Sequence, residues 1–267
     1  MLKFKVNGYV LRGISMGETS RIITLFTLEK GKLKCVAKGV RKYAAKRGGT
    51  LEIFSRVECE IYKKENAELG MLSSVDLVDD HSAIAVEPLK FGLSSAFCEI
   101  IDKSATDNEP VPELFELAGE FFRYILDIDS KTVHFLFWAA FIKTLTLLGY
   151  QPGLFECVVC GKKNKNRAAF YDPDRGGIIC SKDIPPDSKY SKLSAKSLLI
   201  LQSFLTRPLA DAVKLEYSEK VLYEIEKFIL TFADYHTGLH RNLKSFKFLS
   251  QLKGKQQRRN CGEKEKE

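Results

Sequence analysis

The chain has no apolar stretch long enough to cross a bilayer. Its most apolar segment, Val133 to Leu148, is interrupted by His134, Lys143, Thr144 and Thr146, which falls short of the ~20 residues that a spanning helix needs. It reads instead as a buried core helix, with His134 a core histidine rather than a ligand. No secretory leader is expected either, since Met1 to Val10 is a short alternating segment. The seven cysteines are odd in number and irregularly spaced, which argues against a disulfide framework and for a reducing, cytoplasmic setting. Several enzyme signatures are missing too. No GxxxxGKS/T, GxGxxG or HExxH occurs, so phosphate-loop, dinucleotide and metalloprotease readings lose their usual support. There is no internal repeat.

What is present is an ordinary globular composition carrying an uneven charge. The 267 residues are 45% hydrophobic and 28% charged, with a formal net charge of +8, enough for one large or two modest domains with a small module appended. Residues 1–50 hold twelve basic and two acidic side chains, a local net of +10 that exceeds the charge of the whole chain. Residues 81–130 compensate with ten acids against three bases, and the end of the chain turns basic again. Such a distribution favours an anionic partner for the N-terminal part.

From Lys3 to Val78 the pattern has period two, with strands expected at Phe4–Ile14, Ser20–Thr27, Lys32–Lys38, Leu51–Tyr62 and Gly70–Val78. Leu33, Cys35 and Ala37 alternate with lysines, and Val57, Cys59 and Ile61 with Arg56, Glu58 and Glu60. Each such strand has one buried and one wet face. Five short strands suit a small closed barrel, either an OB-fold or an SH3-like barrel. Beyond Asp80 the period becomes helical. Pro88–Thr106, a helix opening at Pro112, and Lys131–Leu148 ending at Gly149 are expected helices, and Leu114, Leu117, Ala118, Phe121 and Ile125 form one stripe on the second. Residues 151–192 break the pattern, after which Ser194–Thr206 and Ser218–Tyr235 resume it. The fold class is therefore α+β and multi-domain. It comprises a five-stranded barrel at 1–80, a mainly helical domain at 81–150 and 193–252, an inserted zinc-ribbon-like module at 151–192, and a disordered basic tail at 253–267.

Within the insertion, Cys157-Val-Val-Cys160 is followed after 19 residues by Cys180-Ser-Lys-Asp183, with Gly161, Gly176 and Gly177 beside the knuckles. Two such knuckles let four donors converge on one tetrahedral zinc ion, and a carboxylate is a permissible fourth ligand. The expected site is Cys157, Cys160, Cys180 and Asp183, closed and structural. The alternative is a module that folds without metal and leaves free thiols. A thioredoxin-like role lacks the βαβ context, and a zinc deaminase lacks its HxE segment.

A second signal is the block Lys30 to Arg47, which holds eight Lys or Arg and no acid. A solvated strand face is the bland reading, but such a run repels itself unless a polyanion lies close by. Arg12, Arg21, Lys32, Lys34, Lys38, Arg41, Lys42, Lys46 and Arg47 are the expected contacts to DNA phosphates. Tyr9, Phe26, Tyr43 and Phe54 are candidate stacking surfaces, although alternation places most of them in the core. The segment His236 to Leu249 is either an amphipathic helix or a basic-apolar groove for an acidic peptide. Asp79, Asp80 and His81 would be the cluster of a metal-dependent nuclease, a weaker reading. A zinc-ribbon adaptor that binds RNA or the transcription machinery is the other alternative.

Taken in order, Gly8-Tyr-Val-Leu11, Gly17-Glu-Thr-Ser-Arg21-Ile-Ile-Thr-Leu25-Phe-Thr27, Gly31-Lys32 and Val36-Ala-Lys-Gly-Val-Arg41 resemble the barrel of the RecO family of bacterial DNA repair proteins. The cysteine ribbon with Phe170 and Gly176-Gly177, and then Leu243 to Leu249, extend the resemblance to about residue 250. At Asp183 the chain departs from members with an intact zinc site, which carry cysteine there. The resemblance implies an OB-fold and a non-catalytic recombination mediator. Such a protein binds single- and double-stranded DNA, anneals complementary strands, contacts the acidic C-terminal tail of single-strand binding protein (SSB), and works with RecR to load RecA.

Overall fold

The computed structural model describes residues 2–38, 51–65, 67–129, 132–186, 188, 190–239 and 243–251. Expectations for Arg41, Lys42, Tyr43, Lys46, Arg47 and the 253–267 tail lie outside these residues. The first five strands are β1 (Leu2–Met16), β2 (Ser20–Thr27), β3 (Gly31–Lys38), β4 (Arg56–Lys63) and β5 (Leu69–Asp79). They close into a barrel in the order β1-β2-β3-β5-β4. Every pairing is antiparallel except that of β3 with β5, which is parallel. This is the Greek-key order of an OB-fold. Closure depends on the 15 residues of β1: its C-terminal half pairs with β2 and its N-terminal half with β4. A bulge between Val10 and Arg12 keeps Val10 in the core while Arg12 faces out.

Val6, Val10, Ile23, Leu25, Cys35 and Ile61 are among the side chains that fill the barrel, each contributing roughly 1.5–3 kcal/mol through burial for the larger aliphatics. Burial pushes the Cys35 thiol up to about 12, so it packs as a small apolar group. The fourth strand begins at Arg56 rather than at the expected Leu51. Phe54 has φ 78, which breaks the extended run, while its N–H donates to the Val10 carbonyl at 2.9 Å. That kink lets Leu51 enter the barrel core and Phe54 leave it.

The outer face of the barrel is also covered in part. After a 3-10 turn at Ser82–Val86 come α1 (Pro88–Ser104) and α2 (Pro112–Asp127). Tyr9 packs against Phe115 and Phe122 of α2 at ring distances of 5.0 and 5.3 Å, and Phe54 against Phe122 at 5.8 Å. Gly119 admits the Tyr9 hydroxyl, which would lie 2.5 Å from a Cβ at that position. Tyr9, Phe26 and Phe54 are thus core residues of a barrel–helix layer, not stacking surfaces. A C-terminal helix, residues 244–251, belongs to the same compact unit.

The second unit, residues 128–242, is built round α3 (Val133–Leu147). Eleven of its side chains are buried, which makes it the central helix that the sequence pattern indicates. Phe135 stacks on Tyr217 at 4.0 Å and meets Phe204 edge-on at 5.5 Å. Around it lie α4 (Ala195–Thr206), the single turn α5 (Leu209–Ala212) and α6 (Glu219–Thr237). Ser194 and Ser218 cap α4 and α6 by accepting hydrogen bonds from Ser197 and Val221 N–H, as their sequence positions indicate. A three-stranded sheet, β7-β6-β8, is made from β6 (Ala169–Asp172), β7 (Gly177–Ile179) and β8 (Ser191–Leu193).

Candidate functional site

The cations of the barrel sort by the face their strand register gives them. Arg12 pairs with Thr24 and Thr24 with Lys34, so Arg12 and Lys34 share one outward row. Lys38, at the end of β3, pairs with Ser20 and is exposed. Arg21 pairs with Ala37, whose side chain lies in the barrel core, so Arg21 stands at the barrel mouth, where its guanidinium is 3.9 Å from Glu52.

Lys32 has a different environment from its neighbours. Its side chain is only 11% exposed, with Nζ 3.1 Å from an Asp107 carboxylate oxygen and 3.9 Å from one of Asp102. It also donates to the Asp102 carbonyl. Backbone contacts hold the segment after α1 against β3: the Asn108 N–H donates to the Lys32 carbonyl at 3.1 Å. Gly31, at φ +60, leaves no room for a Cβ, which would lie 2.0 Å from the Glu109 carbonyl oxygen. Asp107 reaches Lys34 as well, at 3.8 Å, and Asp102 lies 4.0 Å from Arg12. These two acids escaped sequence reasoning because nothing local marks them; they matter only once α1 returns to the barrel. A polar cleft of about 480 Å³ adjoins them, lined by Lys34, Lys63, Glu65, Glu68, Asp107 and Asn108 among others.

Asp79, Asp80 and His81 turn to separate partners. Asp79 meets Arg56 at 3.5 Å, Asp80 accepts from the Ser82 N–H at 2.8 Å, and His81 Nδ1 lies 3.1 Å from the Phe54 carbonyl oxygen. Burial holds the His81 imidazole below its ordinary pKa. The trio closes a strand and starts a turn, and it is not among the groups of three or more metal donors that the described residues form.

The cysteine insertion does converge. The donor atoms of Cys157, Cys160, Cys180 and Asp183 all lie within 4.8 Å of one another, and among the described residues they form the one group of this kind. Cys180 and Cys157 thiols donate to Asp183 Oδ2 at 2.8 and 3.2 Å, and the Cys160 and Cys180 sulfurs are 3.9 Å apart. A tetrahedron with zinc–sulfur bonds of about 2.3 Å has sulfur–sulfur edges of about 3.8 Å, so the donor set fits such an ion in kind and in size. The knuckle is shaped by the backbone: the Gly161 N–H donates to the Cys157 carbonyl at 2.9 Å and the Cys157 N–H to that of Lys162, with Gly161 at φ +68.

The electrostatics favour the anionic form at Cys157 and Asp183, whereas the hydrogen bond to Asp183 pushes the Cys160 thiol up to about 11. Burial opposes a Cys157 thiolate, but the N–H groups of Cys160, Cys180 and Val159 outweigh it and hold the thiol below its ordinary pKa. Hydrogen bonds from Cys160, Cys180 and Cys157 keep the Asp183 carboxyl down at about 2. An ion held by all four side chains would have no place for a reacting water, as in a structural site.

The segment expected to be an amphipathic helix or a peptide groove divides in two. His236 and Thr237 end α6, while residues 244–251 form the separate C-terminal helix. Glu99 of α1 accepts from the N–H groups of Lys244 and Ser245 at 2.9 and 2.8 Å, satisfying donors that a helix start leaves open.

No helix is long and apolar enough to cross a membrane among the described residues. In comparisons with known proteins, residues 1–81 match the family profile described as "Recombination protein O N terminal" and residues 87–245 that described as "Recombination protein O C terminal". A DNA repair protein RecO of Anaeromyxobacter sp. (strain K) is 27% identical over 253 residues, which cover 94% of this chain and 98% of the relative. The protein of that name from Syntrophobacter fumaroxidans is 27% identical over 249 residues, 92% and 97% of the two chains. Another from Listeria monocytogenes serotype 4b is 25% identical over 249 residues, 93% and 94%. Both profiles fall in order on a closed five-stranded barrel and the helical, cysteine-bearing region that follows it, and the chain belongs to the RecO family of DNA repair proteins.

Proposed function

We infer that the protein is a recombination mediator without small-molecule turnover. It binds single- and double-stranded DNA, anneals complementary strands, and with RecR helps load RecA onto DNA coated by SSB, whose C-terminal tail it also engages. The observation that carries this reading is the outward row of Arg12 and Lys34 with Lys38 beyond it, on a barrel of the class that binds nucleic acid strands. Annealing brings two polyanions together, and cations that contact phosphates screen both backbones without reading base edges. In this reading Arg12, Lys34 and Lys38 touch phosphate, with Arg41, Lys42, Lys46 and Arg47 continuing the same basic block and Arg21 at the barrel mouth. Lys32 contributes chiefly by anchoring the β3 edge to Asp102 and Asp107. Zinc on Cys157, Cys160, Cys180 and Asp183 would be the structural cofactor of the second unit.

The test is annealing of labelled complementary oligonucleotides coated with SSB. Product without cofactor or cleavage is expected; shortened strands would favour a nuclease and inactivity an RNA or transcription adaptor. In direct titrations, Lys38→Ala should weaken binding to all sequences alike and reduce the salt slope by about 0.7, the share of one phosphate on a single strand. An unchanged slope would remove Lys38 from the contact set.

A further inference from the structure

Next to the cationic row runs an apolar belt that the barrel core does not use. Ile14 of β1 lies opposite Ile22 of β2, Ile22 opposite Val36 of β3, and Val36 opposite Met71 of β5. Met71 in turn lies opposite Tyr62 of β4, and Tyr62 opposite Lys3 at the other end of β1. Their chain neighbours Ile23, Cys35, Ala37, Ile61 and Leu72 fill the barrel core, so the belt points outward. Ile14 is 43% exposed and the flanking Met16 43%, whereas Val36 in the middle of the belt is 8% exposed. Ile14, Ile22, Val36 and Met71 thus form a shallow aliphatic strip across β1, β2, β3 and β5, which Tyr62 extends onto β4.

The charge around the belt decides what fits it. Arg12 and Lys34 border one side and Lys38 the other, and the Lys3 ammonium lies 5.4 Å from the centre of the Tyr62 ring. Farther along the outer faces of β4 and β5, Glu58, Glu60, Asp76 and Asp79 make the barrel acidic. A polyanion is drawn to the β1–β2–β3 side and repelled from that end. Resting on the reading of the barrel as a DNA surface, we propose that the belt is a platform for the faces of unpaired bases, with their phosphates on the Arg12–Lys34 row and Lys38. The part of this strip on β1, β2 and β3 offers apolar surface to the face of any base and leaves its pairing edge to solvent, which suits annealing without sequence preference. An apolar patch rimmed by cations has the two components that a single strand requires.

The experiment uses the full chain and two probes: labelled oligothymidylate and an abasic oligonucleotide of equal length, titrated over a range of salt. The wild-type protein should prefer the base-bearing strand by roughly tenfold, the effect of about one well-seated base. Ile14→Ser with Met71→Gln should abolish that preference and leave the salt slope unchanged, because no cation is removed. Ile14→Val with Met71→Leu should retain it. Equal wild-type affinity for the two probes overturns the platform and leaves the phosphate contacts standing, whereas failure to capture either probe overturns the DNA reading together with it. If the serine–glutamine variant keeps the preference but alters self-association in sedimentation, the belt belongs to a second copy of the chain and the proposal falls.

Discussion

At the scale of single residues, the least expected feature is that the barrel's cations are already partly neutralised from within. Asp107 lies 3.1 Å from Lys32 and 3.8 Å from Lys34, with its own side chain half exposed. For Lys34 it stands where a phosphate would stand. Asp107→Asn should therefore tighten oligonucleotide binding two- to fivefold at low salt, the effect of an exposed ion pair worth up to about 1 kcal/mol, with the gain vanishing as salt is raised. Lys32→Ala should act differently. It strips Asp102 and Asp107 of a nearly buried partner and should destabilise the barrel by roughly 1–3 kcal/mol in denaturant unfolding, with little change in salt slope. A loss of about 0.7 in slope for Lys32→Ala would return that lysine to the phosphate contacts. The contrast shows what sequence could reveal. Cys157, Cys160, Cys180 and Asp183 were legible because the spacing of two knuckles is itself the geometry of the site. Lys32 was not, because its partner Asp102 is 70 residues away and one lysine in a basic run looks like the next.

At the scale of elements, periodicity located every barrel strand to within a few residues, and it missed at one place for a clear reason. Leu51 to Ser55 keep the apolar composition of a strand, but the left-handed Phe54 turns the chain, and no residue type announced it. The C-terminal helix was visible as a basic-apolar stretch without any sign of where it docks. Glu99 supplies that answer across 145 residues, and Gly92 supplies space, since a Cβ there would lie 2.7 Å from a Leu249 methyl. Glu99→Ala removes the acceptor for two backbone donors and should weaken the helix by about 1 kcal/mol, as loss of a cap does. Hydrogen exchange of the 244–251 amides should then accelerate about fivefold while the barrel stays protected. The same contact carries a pH dependence. Burial works against the Glu99 carboxylate, but the Ser245 and Lys244 N–H groups, the Ser245 hydroxyl and Lys103 prevail, and its pKa is lowered. Its contribution is complete above the unfolded value of about 4.3 and is lost as pH falls through the lower folded value. Acid should release this helix in the wild type and change little further in Glu99→Ala.

At the scale of the whole molecule, composition divides the chain near residue 80, and the family profiles divide at 81 and 87. The compact units fall elsewhere: residues 1–127 with 243–267, and residues 128–242 between them. The difference arises because Tyr9, Phe26 and Phe54 present aromatic surface on the outside of the barrel, which α2 covers; a strand buried on both faces hides the helix it needs from a reading by alternation alone. This partition makes a claim about the metal. Cys157, Cys160, Cys180 and Asp183 all belong to the second unit, whereas Arg12, Lys34 and Lys38 belong to the first. Purified protein should contain one zinc per chain, and a structural ion that binds only the folded ribbon adds its binding energy to the stability of that ribbon. Chelation should then open residues 151–192 to limited proteolysis and lower the unfolding temperature of the second unit. Oligonucleotide affinity and its salt slope should stay within about twofold, because every phosphate contact proposed lies outside that unit. Asp183→Cys should slow zinc loss to the chelator, since a fourth thiolate is a softer donor than a carboxylate, and Asp183→Ala should hasten it. A chelator that abolished strand capture while the barrel remained folded would place the ribbon in the DNA interface and redraw the division of labour between the two units.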